Sequence, residues 1–130
     1  MILLAALLGA CAGSGVKIEG PAFSAGAIRK LIDGNTLQGP MGMEMYDWYY
    51  QSDGAVTGVV GASNDDSGTW LIKDSNTYCH RWDQYFDGVQ HCYKFYNTTK
   101  PGQYLMENVD ADRSENISVW KVIPGNPYKM

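Results

Sequence analysis

From Gly34 onward the chain is punctuated by turn-forming clusters at a near-constant interval, and that interval constrains the fold more than any other feature. Ser52-Asp53-Gly54, Asn64-Asp65-Asp66-Ser67-Gly68, Asp74-Ser75-Asn76, Asp87-Gly88, Lys100-Pro101-Gly102 and Asp110-Ala111-Asp112 follow one another about 10–13 residues apart. Gly, Pro, Asn and Asp each redirect a chain, by left-handed backbone, fixed φ or side-chain-to-backbone hydrogen bonds. The segments between them are rich in Tyr, Trp, Val, Ile and Thr, which suit a pleated surface. This pattern predicts an all-β domain: an antiparallel meander of about eight strands near 35–39, 43–51, 54–61, 68–73, 76–83, 88–96, 103–109 and 115–123. Closing the meander into a barrel removes its free edges and leaves an interior for side chains or one small ligand.

One helix precedes the strands. Ser24 is placed as its N-cap, Ile28, Leu31 and Ile32 recur at helical spacing, and Gly34 stands where a C′ glycine belongs. Phe23 and Ile28 are spaced for a hydrophobic staple. The helix is expected to plug one end of the barrel, and residues 24–127 to form a single domain. Nine Tyr, four Trp and three Phe in 130 residues supply a core, so wholesale disorder is excluded. A net charge of −4 with no Lys/Arg run argues against nucleic acid, since neutralising phosphates needs clustered cations.

Residues 1–12 read as an export leader. The apolar run Ile2–Leu8 is followed by small residues. Ala10-Cys11-Ala12 fits an ordinary signal-peptidase site. Leu8-Gly9-Ala10-Cys11 is similar to a bacterial lipobox, in which Cys11 would be lipidated and give the membrane a lipid anchor as its only hold on the protein. Both routes predict a periplasmic or outer-membrane-anchored protein, with residues 13–23 as a tether. Either route leaves Cys79 and Cys92, thirteen positions apart. In an exported chain they are expected to form one disulfide, with a zinc pair as the alternative.

The stretch around the cysteines carries the candidate site. Side chains alternate faces along a strand. Tyr78, His80 and Trp82 therefore share one face, and His91, Tyr93 and Phe95 share another. If Cys79 sits opposite Cys92, then His80 faces His91. Glu44, Tyr46, Trp48 and Tyr50 alternate in the same way on an earlier strand, and Tyr and Trp suit a pocket wall because they join an apolar body to a polar tip. The ligand-lining set is thus Tyr46, Trp48, Tyr78, His80, Trp82, His91 and Tyr93. The histidine pair admits three readings: a polar pair within the core or lining a ligand, a metal or haem site, or acid–base catalysis with His80 and His91 as the residues concerned. No cofactor is expected from any motif, since phosphate loops, dinucleotide fingerprints, nucleophile elbows and calcium loops are missing. Alternating Met41, Met43 and Met45 could supply thioethers to copper, but flexible core packing is the plainer reading.

Several short patterns carry a family likeness. Leu31-Ile32-x-Gly34-Asn35-Thr36-x-x-Gly39, Tyr49-Tyr50-x-x-Asp53-Gly54-x-x-x-Gly58, Gly68-Thr69-Trp70, Cys79 with Trp82, Cys92-Tyr93-x-x-Tyr96 and Val122-Ile123-Pro124-Gly125-Asn126-Pro127 occur in this order. Over about residues 28–127 the chain resembles a family of small bacterial periplasmic domains of unknown function. That resemblance implies a lipocalin- or calycin-like barrel and carries no catalytic residue across. Gly68-Thr69-Trp70-x-Ile72 with Cys79 also resembles the β-barrel inhibitors of secreted bacterial metalloproteases, which implies a protease partner engaged by the segment ahead of the barrel. The leading expectation is a binding module for a small apolar or aromatic ligand. A protease inhibitor, or a small enzyme or metal binder built on His80 and His91, are the alternatives.

Overall fold

The computed structural model describes residues 18–61, 64–110 and 117–130. It contains strands β1 (Ile18–Glu19), β2 (Thr36–Met41), β3 (Glu44–Tyr50), β4 (Ala55–Val60), β5 (Asn64–Lys73), β6 (Thr77–Trp82), β7 (His91–Thr98), β8 (Gln103–Asn108) and β9 (Ile117–Ile123), with one helix, α1 (Ala25–Ile32). The leader at residues 1–12, with Cys11, and residues 13–17 of the tether lie outside the described residues. Each strand from β2 to β9 pairs antiparallel with the next. β9 returns to β2 through Thr36–Ile123, Leu37–Val122 and Gln38–Lys121, so the meander closes into an eight-stranded barrel. The all-β meander, the single helix and the disulfide are therefore as the sequence predicts.

Helix α1 begins where expected because Ser24 Oγ accepts the Ala27 N–H at 3.2 Å. Its apolar stripe buries Ile28 and Ile32 completely. Ala25 N–H donates to the Ser75 carbonyl in the β5–β6 turn, which fixes the helix over one end of the barrel. Phe23 packs its ring on Phe95 and Tyr104, at 6.5 and 5.7 Å between centroids, across the seam between β7 and its neighbours. That seam is short. β6 and β7 share three residue pairs, Tyr78–Tyr93, Cys79–Cys92 and His80–His91. Beyond them β7 takes a different partner: Ile18 and Glu19 of β1 pair with Thr98 and Asn97, and Phe23 N–H donates to the Phe95 carbonyl. Part of the tether is thus a piece of the barrel wall. The Cys79–Cys92 disulfide, buried and facing outward, staples the middle pair of the seam.

The interior is filled with aromatic rings. Trp48, Trp82 and Trp120 are 0–1% exposed, with Tyr50, Tyr78, Tyr93 and Phe95 beside them. Trp48 stacks on Trp120 at 4.5 Å and tilts against Trp82 at 5.7 Å. Such rings fit an eight-stranded barrel only where a nearby strand turns no side chain inward. A Cβ on Gly39 would lie 2.3 Å from the Trp120 ring, and one on Gly58 would lie 2.7 Å from the Trp82 ring. Outward positions carry Gln38, Asp47, Thr57, Lys94, Glu107 and Lys121. This polar-out arrangement is the reverse of a lipid-facing barrel.

Three local expectations are corrected. Asn64–Gly68, read as a turn, is the first half of β5, paired with Val60–Val56. Gly68 is there because β5 and β6 approach so closely that a Cβ would meet the Arg81 carbonyl oxygen at 2.0 Å. The segment 88–90, read as strand, belongs to a loop, and β7 begins at His91. Met43 and Met45 are exposed at the β2–β3 hairpin, so core packing explains neither of them.

Candidate functional site

His80 sits in the middle of β6, 1% exposed, with its imidazole edge-on to Trp48 at 4.8 Å and to Tyr93 at 4.9 Å. Both ring nitrogens are engaged. Nδ1 lies 3.2 Å from the Tyr50 hydroxyl and Nε2 lies 3.1 Å from the Tyr93 hydroxyl. Tyr50 in turn reaches the Tyr78 hydroxyl at 3.2 Å, and Tyr78 donates to Met106 Sδ at 3.3 Å. A phenol has one proton, so that last bond sets the direction of the chain. Tyr50 donates to Tyr78, His80 Nδ1–H donates to Tyr50, and Tyr93 donates to His80 Nε2. Every donor then has an acceptor, and the imidazole is neutral with its proton on Nδ1.

Burial enforces the same state. Desolvation, and then the nearby His91, lower the His80 pKa to about 3. Protonating it would also require Tyr93 to accept rather than donate, which would leave the Tyr93 proton without an acceptor in this network. Burial likewise holds Tyr50, Tyr78 and Tyr93 well above the ordinary phenol value. The group titrates poorly near neutrality, and its two nitrogens are already used. His91 differs. It stands opposite His80 at the strand end, partly exposed, and its Nδ1 is buried with no partner. Among the described residues no three His, Cys, Asp or Glu side chains gather as a metal site, and with both His80 nitrogens engaged only His91 of the pair has a ring nitrogen to offer.

The structure brings the sequence-derived set together. Tyr46 meets Trp48 at 5.6 Å, and Trp48 meets His80, Trp82 and Tyr93. Tyr78 meets Tyr93 at 5.3 Å. His91 joins through one residue that sequence reasoning missed, Phe86, at 5.5 Å. Phe86 lies in the loop 83–90 between β6 and β7 and turns its ring back into the barrel mouth. It stands parallel to the His80 imidazole, 7° between planes at 6.4 Å, and packs on Tyr46 at 5.7 Å and Trp48 at 6.3 Å.

That position is bought with backbone strain. Phe86 (φ 54°), Asp87 (φ 58°) and Gly88 (φ 67°) are three consecutive left-handed residues. A residue with a Cβ pays about 1–2 kcal/mol there. The flanks of the loop are fixed. Asp66 accepts the backbone N–H groups of Gln84 and Tyr85, each at 2.8 Å, and the Tyr85 hydroxyl points at the Asn64 and Gly58 carbonyls. Strain is therefore confined to Phe86 and Asp87, since Gly88 adopts the left-handed region freely. The Asp87-Gly88 pair signals a turn, but no local pattern says that the preceding ring folds inward. Tyr50 and Trp120 were also missed as site residues, although Tyr50 shares a strand face with Tyr46 and Trp48.

Two more features mark the mouth. The indole N–H groups of Trp48 and Trp82 are buried without an acceptor among the described residues, whereas Trp70 donates to the Gln51 carbonyl and Trp120 to Ser118 Oγ. The field at the mouth is negative. Burial, and then the Glu44 carboxylate, raise the Tyr46 pKa; burial, and then Asp66, Tyr46, Asp65 and Glu44, raise that of Tyr85. The segment ahead of the barrel, which the inhibitor reading needs for a partner, has residues 18, 19 and 23 engaged with β7. Comparison with known proteins finds no matching family model, curated protein or solved structure.

Proposed function

We propose that this barrel is a binding module for a small apolar or aromatic molecule, taken up at the mouth that Phe86 covers. The observation that carries the reading is the pair of buried indole N–H donors, on Trp48 and Trp82, left without acceptors inside an aromatic lining. A buried polar group without a partner costs roughly 1–3 kcal/mol, and a ligand that brings an acceptor to these donors would relieve that cost. A mostly apolar lining with a few aimed polar groups is the usual character of a small-molecule site. His80, neutral and held by two phenols, serves as a fixed wall of this site rather than as an acid or base. Export to the periplasm, with or without a lipid on Cys11, accompanies the proposal, and the buried Cys79–Cys92 disulfide supports an oxidising compartment.

Native mass spectrometry of protein purified from the cells that make it tests the reading. A small molecule that co-purifies at one per chain and leaves on denaturation is expected. A chain at its bare mass, whose tryptophan fluorescence responds saturably to no apolar or aromatic compound, would overturn it.

A further inference from the structure

Three features at the mouth are not accounted for by packing alone. A phenylalanine ring is held over His80 by a loop strained at Phe86 and Asp87 alone. The N–H of Trp48, the indole that this ring meets edge-on, has no acceptor. Among the described residues no Lys or Arg of the strands faces inward, while Glu44, Asp65 and Asp66 lend the rim negative charge, with Lys129 lining an outer recess beside Asp65 and Asp66.

Together they specify the ligand. We infer that Phe86 is a placeholder for the ligand's own ring, and that the ligand is an uncharged planar heteroaromatic whose ring nitrogen or carbonyl accepts a hydrogen bond from the Trp48 indole. This inference rests on the binding-module reading and deepens it. The ring requirement follows from Phe86, whose plane lies 7° from that of His80 in a slot walled by Tyr46 and Trp48. The acceptor follows from the unpartnered indole. The absence of charge follows from two separate grounds: an anion meets the rim carboxylates with no inward-facing cation to offset them, and a cation formed by protonating or alkylating the ring nitrogen has lost the acceptor that the Trp48 N–H needs. A recess of about 270 Å³ beside the mouth, lined by Glu44, Met45, Val60, Gly61 and Asn64, leaves room for a polar substituent outside the slot. When the ligand enters, Phe86 swings out. Asp87 and Gly88 are released from the left-handed region, while the loop keeps its anchors on Asp66.

The test uses three probes of one shape, read by quenching of tryptophan fluorescence: quinoline (neutral, with a ring acceptor), 1-methylquinolinium (the acceptor blocked, charge positive) and 2-naphthoate (charge negative). Quinoline is expected to bind at least tenfold more tightly than either charged analogue. Phe86→Asn, which removes the ring and tolerates the left-handed backbone, should tighten quinoline at least fivefold. Trp48→Phe should cancel the preference of quinoline over 1-methylquinolinium. Circular dichroism checks that both variants keep the barrel, and the wild-type comparison stands without them. Equal or tighter binding of 2-naphthoate, or no gain in Phe86→Asn, overturns this inference and leaves the binding module intact. Saturable binding of no probe, to wild type or to Phe86→Asn, overturns both.

Discussion

Replacing His80 by Gln should flatten the acid limb of the stability curve. The unfolded chain takes up a proton on this histidine near pH 6.5, whereas the folded chain refuses it until about pH 3. The folded-state pKa is depressed, so the contribution is fully present above pH 6.5 and is lost as pH falls from there toward 3. Each pH unit in that window costs about 1.4 kcal/mol. At pH 5 the loss is about 2 kcal/mol, and over the whole window it approaches about 5 kcal/mol, a large part of the stability of a small domain. Glutamine can still donate to Tyr50 and accept from Tyr93, but it has no proton to gain. Urea unfolding with the disulfide intact, at pH 7, 6, 5 and 4, should show wild type losing about 1.4 kcal/mol per unit more than His80→Gln below pH 6. Parallel curves would refute the buried, neutral imidazole. So would an imidazole resonance of His80 titrating near pH 6 in the folded protein.

Other perturbations test the packing. Gly39→Ala drives a methyl to 2.3 Å from the Trp120 ring and should cost about 1–3 kcal/mol in urea unfolding, whereas Gly26→Ala, in helix α1 with open space around it and no left-handed backbone, should cost nothing comparable. Trp120→Ala removes the ring stacked on Trp48 at 4.5 Å and should cost about 3–5 kcal/mol, read as a lowered midpoint at unchanged slope. Reducing the Cys79–Cys92 bridge, or replacing both cysteines by Ala, should cost roughly 3 kcal/mol, since it frees the thirteen-residue loop that spans the three-pair seam. Hydrogen exchange should then quicken first at Tyr78–His80 and His91–Tyr93.

The turn spacing made the meander legible because each hairpin is a local event, settled by a few Gly, Asp, Asn and Pro residues. The face of every core aromatic was legible too, since period-2 alternation needs no knowledge of the partner strand. Pairing Cys79 with Cys92 then fixed His80 opposite His91, as the register shows. What stayed hidden depends on contacts between distant segments. Asp66 reads as a turn carboxylate, yet it caps the 83–90 loop eighteen residues on. Gly68 reads as a turn glycine, yet it is dictated by the Arg81 carbonyl on the next strand. The hydroxyl chain Tyr78–Tyr50–His80–Tyr93 joins three strands, and no one-dimensional spacing announces it. Phe86 points inward only because its backbone occupies a region that its residue type avoids.

The central claim, an interior aromatic site at the Phe86 mouth, is tested most directly by following the four tryptophan indole N–H resonances of ¹⁵N-labelled protein as quinoline is added. The account predicts that Trp48 moves downfield to saturation as it gains an acceptor. Trp70 and Trp120, already bonded to the Gln51 carbonyl and Ser118 Oγ at 2.8 and 2.7 Å, should stay in place. A Trp48 resonance that remains fixed at saturating quinoline, or a response confined to Trp70 beneath the helix, would contradict it.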